Sequence, residues 1–270
     1  MIISQIMPQS RQTAVLSSKD KNKSKLPQTV VAYGHDLTEG ETVPFHHHRW
    51  AQLVYASHGI MTVTTEKFSY VVPPQRAVWI PAGVEHSIDA RSDVSMRPLY
   101  IDSCAADLPT KVCVLQITPL LRELILSAVA SGSSYQPDSP QSRTISVILD
   151  QISMQTEASL ALPMPTDSRL LRVTQSLITN PADSRNLGEW AWEVGASKRT
   201  LGRLFSAQTG MSFRAWRQQR RLHRALELLV SGDSVTTIAL ELGYNSTSAF
   251  IAMFKRNFGK TPKRYLSTTS

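Results

Sequence analysis

Residues 191–205 read AWEVGASKRTLGRLF, and residues 239–254 read ALELGYNSTSAFIAMF. In each stretch an apolar run is followed by a glycine, Gly195 or Gly243, then a serine, then apolar residues at helical spacing. Glycine suits the left-handed backbone of a sharp turn, and serine is a good cap for the helix that follows. Each stretch therefore predicts a helix-turn-helix unit, whose second helix enters the major groove of DNA.

The segment between the two units, Ser212 to Val230, predicts one long helix. At a rise of ~1.5 Å per residue it would be roughly 28 Å long, which suits two reading helices about one DNA turn apart. Its arginines Arg214, Arg217, Arg221 and Arg224 follow helical spacing and share one face. Two interpretations of this face stay open, namely contact with phosphates, or solvated and internally paired arginines.

Charge is spread unevenly over the 270 residues, whose net charge is +8. From residue 168 to the end there are 16 lysines and arginines against 6 aspartates and glutamates, and residues 1–167 carry 13 against 15. A basic half joined to a near-neutral half predicts a polyanionic partner for the basic half. Double-stranded DNA is the partner that agrees with both the charge and the motifs.

Cysteine content and hydropathy bear on the compartment. The two cysteines, Cys104 and Cys113, have neither a disulfide framework nor zinc-site spacing, so we expect buried side chains in a reduced, cytoplasmic protein. No apolar run approaches the ~18 residues of a membrane span, and the N-terminus lacks a secretory signal. The sequence therefore predicts no membrane partner.

Residues 29–112 carry the signals of β-structure. Short β-branched and aromatic runs are separated by Gly59, Pro73-Pro74 and the turn at residues 81–83, which predicts a β-sandwich or a small barrel. Before it, the polar and lysine-rich residues 1–28 predict a disordered basic arm.

From Thr118 onwards the apolar period becomes helical. Residues 113–166 predict a helical segment that ends in a linker, Glu157 to Thr166, and is a candidate for a dimer contact. Residues 167–270 hold the two helix-turn-helix units. The expected fold class is a two-domain α+β chain, with an all-β barrel and its following helices before an all-α domain whose two units are joined by a long helix.

Histidines are the informative residues of the β half. His46, His48 and Gln52 share parity, so along a strand they would lie on one face, and His86 follows the turn at residues 81–83. Imidazoles in this arrangement are compatible with an effector pocket, with a three-histidine metal site, or with a hydrogen-bonded core.

Residues Leu187 to Leu266 resemble the AraC/XylS family of bacterial transcription regulators. The matching text is SKRTLGRLF at residues 197–205, RLHRALELL at 221–229, IALELGY at 238–244 and FKRNFGKTPKRY at 254–265. In that family both units bind one face of the duplex and read an asymmetric site. The resemblance implies double-stranded DNA and RNA polymerase as partners, and it favours activation over repression.

By this resemblance Arg199 and Arg203 read bases for the first unit, and Thr247 and Ser248 do so for the second. Ala252 stands where many members carry arginine, which favours contact with the DNA backbone by the second unit. The residues expected to contact DNA are Ser197, Lys198, Arg199, Thr200, Arg203, Ser246, Thr247, Ser248, Lys255, Arg256 and Lys263.

The β half resembles the cupin barrel in its two motifs, His46-x-His48-x3-Gln52-x6-Gly59 and Pro81-x-Gly83-x2-His86. Cupin enzymes surround a divalent metal with three histidines and a glutamate, and here an uncharged glutamine replaces the glutamate. Cupin-like sensor domains head many AraC/XylS regulators and bind small molecules. The resemblance thus favours an effector pocket formed by His46, His48, Gln52, Trp79 and His86, and no cofactor is expected.

The sequence predicts a sequence-specific transcription regulator that responds to a small-molecule effector and is not an enzyme. Two rival functions stay open. One is a metal-dependent cupin enzyme fused to a DNA-binding domain, with the metal on His46, His48 and His86. The other is a nonspecific architectural DNA binder.

Overall fold

The structure, a computed structural model, describes residues 26–155, 157–158 and 161–266. Of the arm predicted for residues 1–28, residues 1–25 lie outside the described residues. Of its last residues, Leu26 is buried in a cluster with Trp50 and Tyr100. The side-chain amide of Gln28 donates to the backbone oxygen of Tyr135 at 3.2 Å. Leu26 and Gln28, which lie inside the predicted arm, therefore pack against the rest of the protein.

The described N-terminal half is built from antiparallel strands. In chain order these strands are β1 (Val30–Ala32), β2 (His35–Leu37), β3 (Thr42–His46), β4 (Ala51–His58), β5 (Met61–Thr65), β6 (Phe68–Val72), β7 (Arg76–Ile80), β8 (His86–Ala90), β9 (Val94–Met96), β10 (Leu99–Ile101), β11 (Cys113–Gln116), β12 (Glu157–Ala158) and β13 (Ala161–Pro163). The larger sheet has the order β1-β10-β4-β7-β11-β12, with β9 joining β4 to β2, and the smaller sheet has the order β13-β6-β5-β8-β3. The strand β11 extends the larger sheet beyond residue 112.

The two faces of the larger sheet have different partners, because successive residues of a strand face opposite sides. Val54, Val78 and Ile80 pack with residues of the smaller sheet and form the barrel interior. Leu53 and Trp79 face the other way and are covered by the helices α1 (Pro119–Ser131) and α2 (Pro140–Ser153). The predicted all-β barrel with following helices is confirmed.

The C-terminal half is helical. Its helices are α3 (Ser168–Thr179), α4 (Leu187–Glu193), α5 (Lys198–Thr209), α6 (Phe213–Val230), α7 (Val235–Glu241), α8 (Thr247–Phe258) and α9 (Pro262–Leu266). Side-chain caps fix where α4 to α8 begin: Asn186, Ser197, Ser212, Ser234 and Ser246 each accept a backbone N–H from the first turn. The prediction of two helix-turn-helix units, α4–α5 and α7–α8, joined by a long helix is confirmed.

The barrel and the DNA-binding half share apolar clusters. Leu162 of β13 belongs to the cluster of the first unit, and Ile60 and Val71 of the barrel belong to the cluster of the second. The indole Nε1 of Trp216 on α6 donates to the backbone oxygen of Pro163 at 2.7 Å. The predicted linker therefore contains two strands, β12 and β13. The proline of β13 is tolerated because this strand lies at the edge of its sheet.

The structure bears on the expected burial of the two cysteines and on the expected absence of a membrane-spanning segment. Cys113 is buried as expected, but the same expectation for Cys104 is wrong, because this residue lies in an exposed turn after Asp102. Within the described residues, no helix is both long enough and apolar enough to cross a bilayer.

Gly243→Ala is expected to destabilise the protein more than Gly195→Ala. Both glycines end the first helix of a unit with positive φ, +71° and +67° respectively, where any L side chain costs about 1 kcal/mol. A Cβ on Gly243 would lie 2.9 Å from the backbone oxygen of Ala182, whereas one on Gly195 meets nothing within 4 Å. Urea unfolding should show that the free energy of unfolding falls by about 2–3 kcal/mol in Gly243→Ala and by about 1 kcal/mol in Gly195→Ala. Equal losses would contradict this reading of the two turns.

Candidate functional site

The first candidate site is the exposed face of α5, the second helix of the first unit. Leu201 and Phe205 are fully buried, which fixes the side of the helix that faces outwards. Arg199 and Arg203 are exposed, and their spacing of four residues places them on one face. Ser197 and Lys198 are exposed at the start of the helix and Thr200 is half-buried, so all the predicted contact residues of this unit reach the surface.

The outward face of α8 has a different chemistry. Phe250 and Phe254 are fully buried, and Ala252 is exposed at the position that Arg203 takes in the first unit. The predicted contact residues of this unit are Ser246, Ser248, Lys255 and Arg256, all exposed, with Thr247 half-buried and Lys263 exposed on α9. The positive charge of α8 lies in its last turn, so the side chains near its start offer hydroxyl groups and no guanidinium.

Of the four arginines on the shared face of α6, two bind backbone carbonyls within the protein. Nη1 of Arg217 donates to the oxygen of Arg185 at 2.9 Å, and Nε of Arg221 donates to the oxygen of Pro181 at 2.9 Å. Both acceptors lie between α3 and α4. These side chains therefore connect α6 to the segment that precedes the first unit.

A third arginine of the same face is ion-paired. Arg224 lies 3.0 Å from a carboxylate oxygen of Glu227 and 2.9 Å from one of Glu241. Of the two interpretations of this face, internal pairing thus describes Arg217, Arg221 and Arg224, whereas Arg214 is exposed near the start of α6.

Contacts of Arg185 hold the loop that precedes α4 in place. The guanidinium of Arg185 lies 3.6 Å from the ring centroid of Trp190 and pairs with Asp183 and Glu193. Hydrogen bonds from Arg185 lower the pKa of Asp183 more than partial burial raises it. A lowered carboxyl pKa stabilises the fold above the ordinary pKa of aspartate and loses this effect as the pH falls through the shifted value.

The second candidate site lies inside the barrel. His46, His48 and His86 place ring nitrogens within 4.8 Å of one another. Oε1 of Gln52 lies 3.0 Å from Nε2 of both His48 and His86. Strand pairing produces this arrangement, since His46 on β3 lies opposite His86 on β8, while Gln52 comes from the facing sheet. His48, Gln52 and His86 are at most 1% exposed.

Backbone carbonyls fix the orientation of the three imidazoles. Nδ1 lies 2.9 Å from a carbonyl oxygen in His46, 2.6 Å in His48 and 3.0 Å in His86. The acceptors are the oxygens of Pro44, Trp50 and Val84. A carbonyl only accepts, so each Nδ1 carries the hydrogen, and Nε2 of a neutral ring is a lone-pair acceptor.

Acceptor lone pairs of His48 and His86 thus converge on Gln52. With its amide turned so that the NH₂ group faces the rings, Gln52 would donate one hydrogen to each imidazole and complete a neutral network. A divalent cation would instead take the Nε2 lone pairs of the three histidines, with the uncharged amide oxygen as a weak fourth ligand. The donor set therefore fits either a neutral hydrogen-bonded centre or a metal ion.

Trp79 does not lie at this centre, and its assignment to the effector pocket is wrong. It alternates on β7 with Val78 and Ile80, which face the barrel interior, so it faces α1 and α2. Its Nε1 donates to the oxygen of Pro109 at 2.6 Å. The sequence signal that separates the two faces is strand parity.

Tyr100, which is not among the predicted pocket residues, lies at the centre instead. It pairs with Gln52 between β10 and β4, and its ring centroid is 5.4 Å from that of His48. Burial raises the pKa of Tyr100 to about 12. Strand alternation could have predicted that Tyr100 faces the interior, because Leu99 and Ile101 on either side of it face out of the barrel.

Comparisons with known proteins agree with both halves of the molecule. A family model described as a helix-turn-helix domain matches residues 190–268, and one described as a cupin domain matches residues 35–102. The HTH-type transcriptional regulator NimR of Escherichia coli strain K12 is 41% identical over 233 residues, which is 86% of this chain and 85% of NimR.

Other matches are more partial or more distant. The HTH-type transcriptional regulator RipA of Corynebacterium glutamicum is 38% identical over 103 residues, covering 38% of this chain and 31% of RipA. Among solved structures, ToxT from Vibrio cholerae O395 aligns with 90% of this chain and 98% of its own, with 13% identity and a TM-score of 0.38. On the strength of the NimR match and the two domain matches, this chain belongs to the AraC/XylS family of helix-turn-helix transcription regulators and carries an N-terminal cupin domain.

Proposed function

We propose that this transcription regulator reads its operator mainly through α5, while α8 holds the adjacent groove by contacts with the DNA backbone. The observation that carries the proposal is the difference between Arg203 and Ala252 at equivalent exposed positions. Arginine makes a bidentate contact with O6 and N7 of guanine, whereas alanine offers only a methyl group.

The length of α6 supports simultaneous binding by both units. Its 18 residues span about 27 Å at ~1.5 Å per residue, which approaches the ~34 Å between successive major grooves. Lys255 and Arg256 at the end of α8 and Lys263 on α9 are exposed cations suited to phosphates. Their contacts would fix the register of the protein without reading sequence.

Arg203→Ala should relax specificity at one base pair and lose about 1–3 kcal/mol of binding free energy there. Arg256→Ala serves as the matched control and should weaken binding to all duplexes about equally, with a shallower salt dependence. Operator fragments are first selected by genomic footprinting. Each base pair is then substituted in turn, and the affinity of both variants for every fragment is measured by fluorescence anisotropy. A uniform loss for Arg203→Ala would assign it to a phosphate, and equal affinity for operator and scrambled duplex at raised salt would indicate the architectural binder.

The barrel centre is the proposed effector site. His46, His48, Gln52, His86 and Tyr100 place polar groups together inside an apolar barrel. Apolar side chains fill the rest of the interior, so the effector must be small. It must compete with Gln52 for the acceptor nitrogens of His48 and His86, which requires hydrogen-bond donors or a positive charge. Its binding would shift the population of domain arrangements in proportion to its unequal affinity for them.

Gln52→Leu should abolish the response to the effector and leave DNA affinity without effector within about twofold of wild type. The substitution removes the group that contacts two buried imidazoles and costs about 1–3 kcal/mol of stability. A reporter screen with a small-molecule library identifies the effector, and the hit is then tested on the variant. An unchanged response in a folded variant would remove Gln52 from the sensor.

A metal-dependent cupin enzyme fused to the DNA-binding half is the second candidate, favoured by the three histidines whose ligand atoms lie within 4.8 Å of one another. A metal bound by His46, His48 and His86 would supply Lewis-acid chemistry. The chain's own residues would orient the ligands through the three backbone carbonyls.

Metal analysis separates the two candidates. We expect less than stoichiometric iron, manganese, nickel or zinc in the purified protein, because glutamine brings no charge to the centre. Gln52→Glu should bind zinc at least tenfold more tightly, since it restores an anionic ligand. Stoichiometric metal in the wild type that is lost in His48→Ala would instead support the enzyme.

We further propose a cytoplasmic homodimer that contacts RNA polymerase. The exposed apolar residues Leu120 on α1, Val147 on α2 and Met154, directly after α2, offer a contact surface for a second copy. Sedimentation of the purified protein, compared with Val147→Glu, tests the dimer.

A further inference from the structure

A cavity lies between the barrel and the DNA-binding half. It has a volume of about 640 Å³ and is bounded by the outer face of the smaller sheet and by the C-terminal half. Thr62, Ser69 and Asn180 give its lining neutral polar groups. Its charged lining residues are three arginines and three glutamates, namely Arg91, Arg220, Arg224, Glu39, Glu227 and Glu241. A volume of this order is typical of pockets that hold metabolite-sized ligands.

This cavity is separate from the histidine centre. Met61, Val63, Tyr70 and Val72 belong to the barrel interior, so the residues that alternate with them on β5 and β6 face out of the barrel. Thr62 is one of these, and it lines the cavity. The two sites therefore lie on opposite sides of the smaller sheet.

Arg220 of α6 is a buried charge in the cavity wall. It is 8% exposed, and its Nη2 donates to the oxygen of Ile178 at 3.0 Å. Its Nη1 lies 3.5 Å from Glu227, a carboxylate that also binds Arg224 at 3.0 Å. Among the described residues, Nε of Arg220 is buried without a hydrogen-bond partner. The guanidinium therefore has one long, shared ion pair and spare donor capacity.

Arg91 lines the same cavity from the barrel side. Its Nε donates to Oγ1 of Thr62 at 3.0 Å. Burial lowers the pKa of Arg220, Glu227 opposes this, and repulsion by Arg224 and Arg91 lowers it further. Two like charges that meet across a partly desolvated gap are stabilised when an anion lies between them.

We propose that this cavity binds a small anionic metabolite whose carboxylate or phosphate group bridges Arg91 and Arg220. Guanidinium groups bind both anions through paired N–H donors. The hydroxyls of Thr62 and Ser69 and the amide of Asn180 are placed to bind the polar remainder of the ligand. Because the two arginines belong to different domains, the bound anion stabilises the docked arrangement of barrel and α6, which makes the ligand a regulator of DNA binding.

Calorimetric titration of the full-length protein with inorganic phosphate and, separately, with glutarate tests the proposal at constant ionic strength. At least one anion should bind saturably with one site per chain. Arg91→Gln should weaken that binding at least tenfold. Arg91 is exposed, so this variant should fold normally, which near-UV circular dichroism would verify. Arg143→Gln, an exposed arginine of α2 outside the cavity lining, is the matched control and should bind as the wild type does.

Hydrogen exchange gives a second readout. The bound anion should slow exchange in residues 176–182 and 213–224 of the wild type and leave Arg91→Gln unaffected. Preference for phosphate or for glutarate assigns the class of anion. The proposal is overturned if neither anion binds saturably, or if Arg91→Gln binds as tightly as the wild type. Either result leaves the test of the histidine centre intact, because that test does not involve Arg91.

Discussion

The DNA-binding half depends on the packing of one helix, α6, into two apolar cores. Trp216 near its start belongs to the core of the first unit, and Leu222, Leu226 and Leu229 belong to the core of the second. Because a single rigid helix passes through both cores, the separation and relative twist of α5 and α8 are set by side-chain packing. If α5 and α8 enter successive grooves as proposed, a spacing fixed in this way requires no linker to become ordered, which reduces the entropy lost on binding.

The same helix carries the connections to the rest of the chain. Its arginines donate to carbonyl oxygens of Ile178, Pro181 and Arg185, at and beyond the end of α3. The last carbonyls of a helix have no partner within it and carry partial negative charge, so cations stabilise them. Trp216 in turn binds Pro163 on the edge strand of the barrel. A displacement of this strand would therefore act directly on α6 through this hydrogen bond.

Periodicity predicted the elements well, and side-chain direction was harder to predict. The turns at Gly195 and Gly243, the serine caps and α6 follow from local rules, because backbone geometry alone demands those residues. Trp79 was misplaced because an aromatic residue near a histidine motif looks like pocket lining, whereas strand parity turns it outwards. The hydrogen-bond partners of the α6 arginines also could not be predicted from the neighbouring sequence. Their acceptors lie 32 to 42 residues away in sequence and meet them only in the folded chain.

The two proposed ligand sites, the histidine centre and the interdomain cavity, would act on α6 by different routes, and their chemistries differ accordingly. The histidine centre is largely buried and has apolar surroundings, so an occupant would be recognised by a few hydrogen bonds and could affect α6 only by moving the strands around it. The interdomain cavity places an arginine of each domain in direct contact with one ligand. An anion bound there acts on α6 without deforming the barrel. A regulator built in this way can combine two chemically unrelated signals, because each shifts the same docking equilibrium through its own contacts.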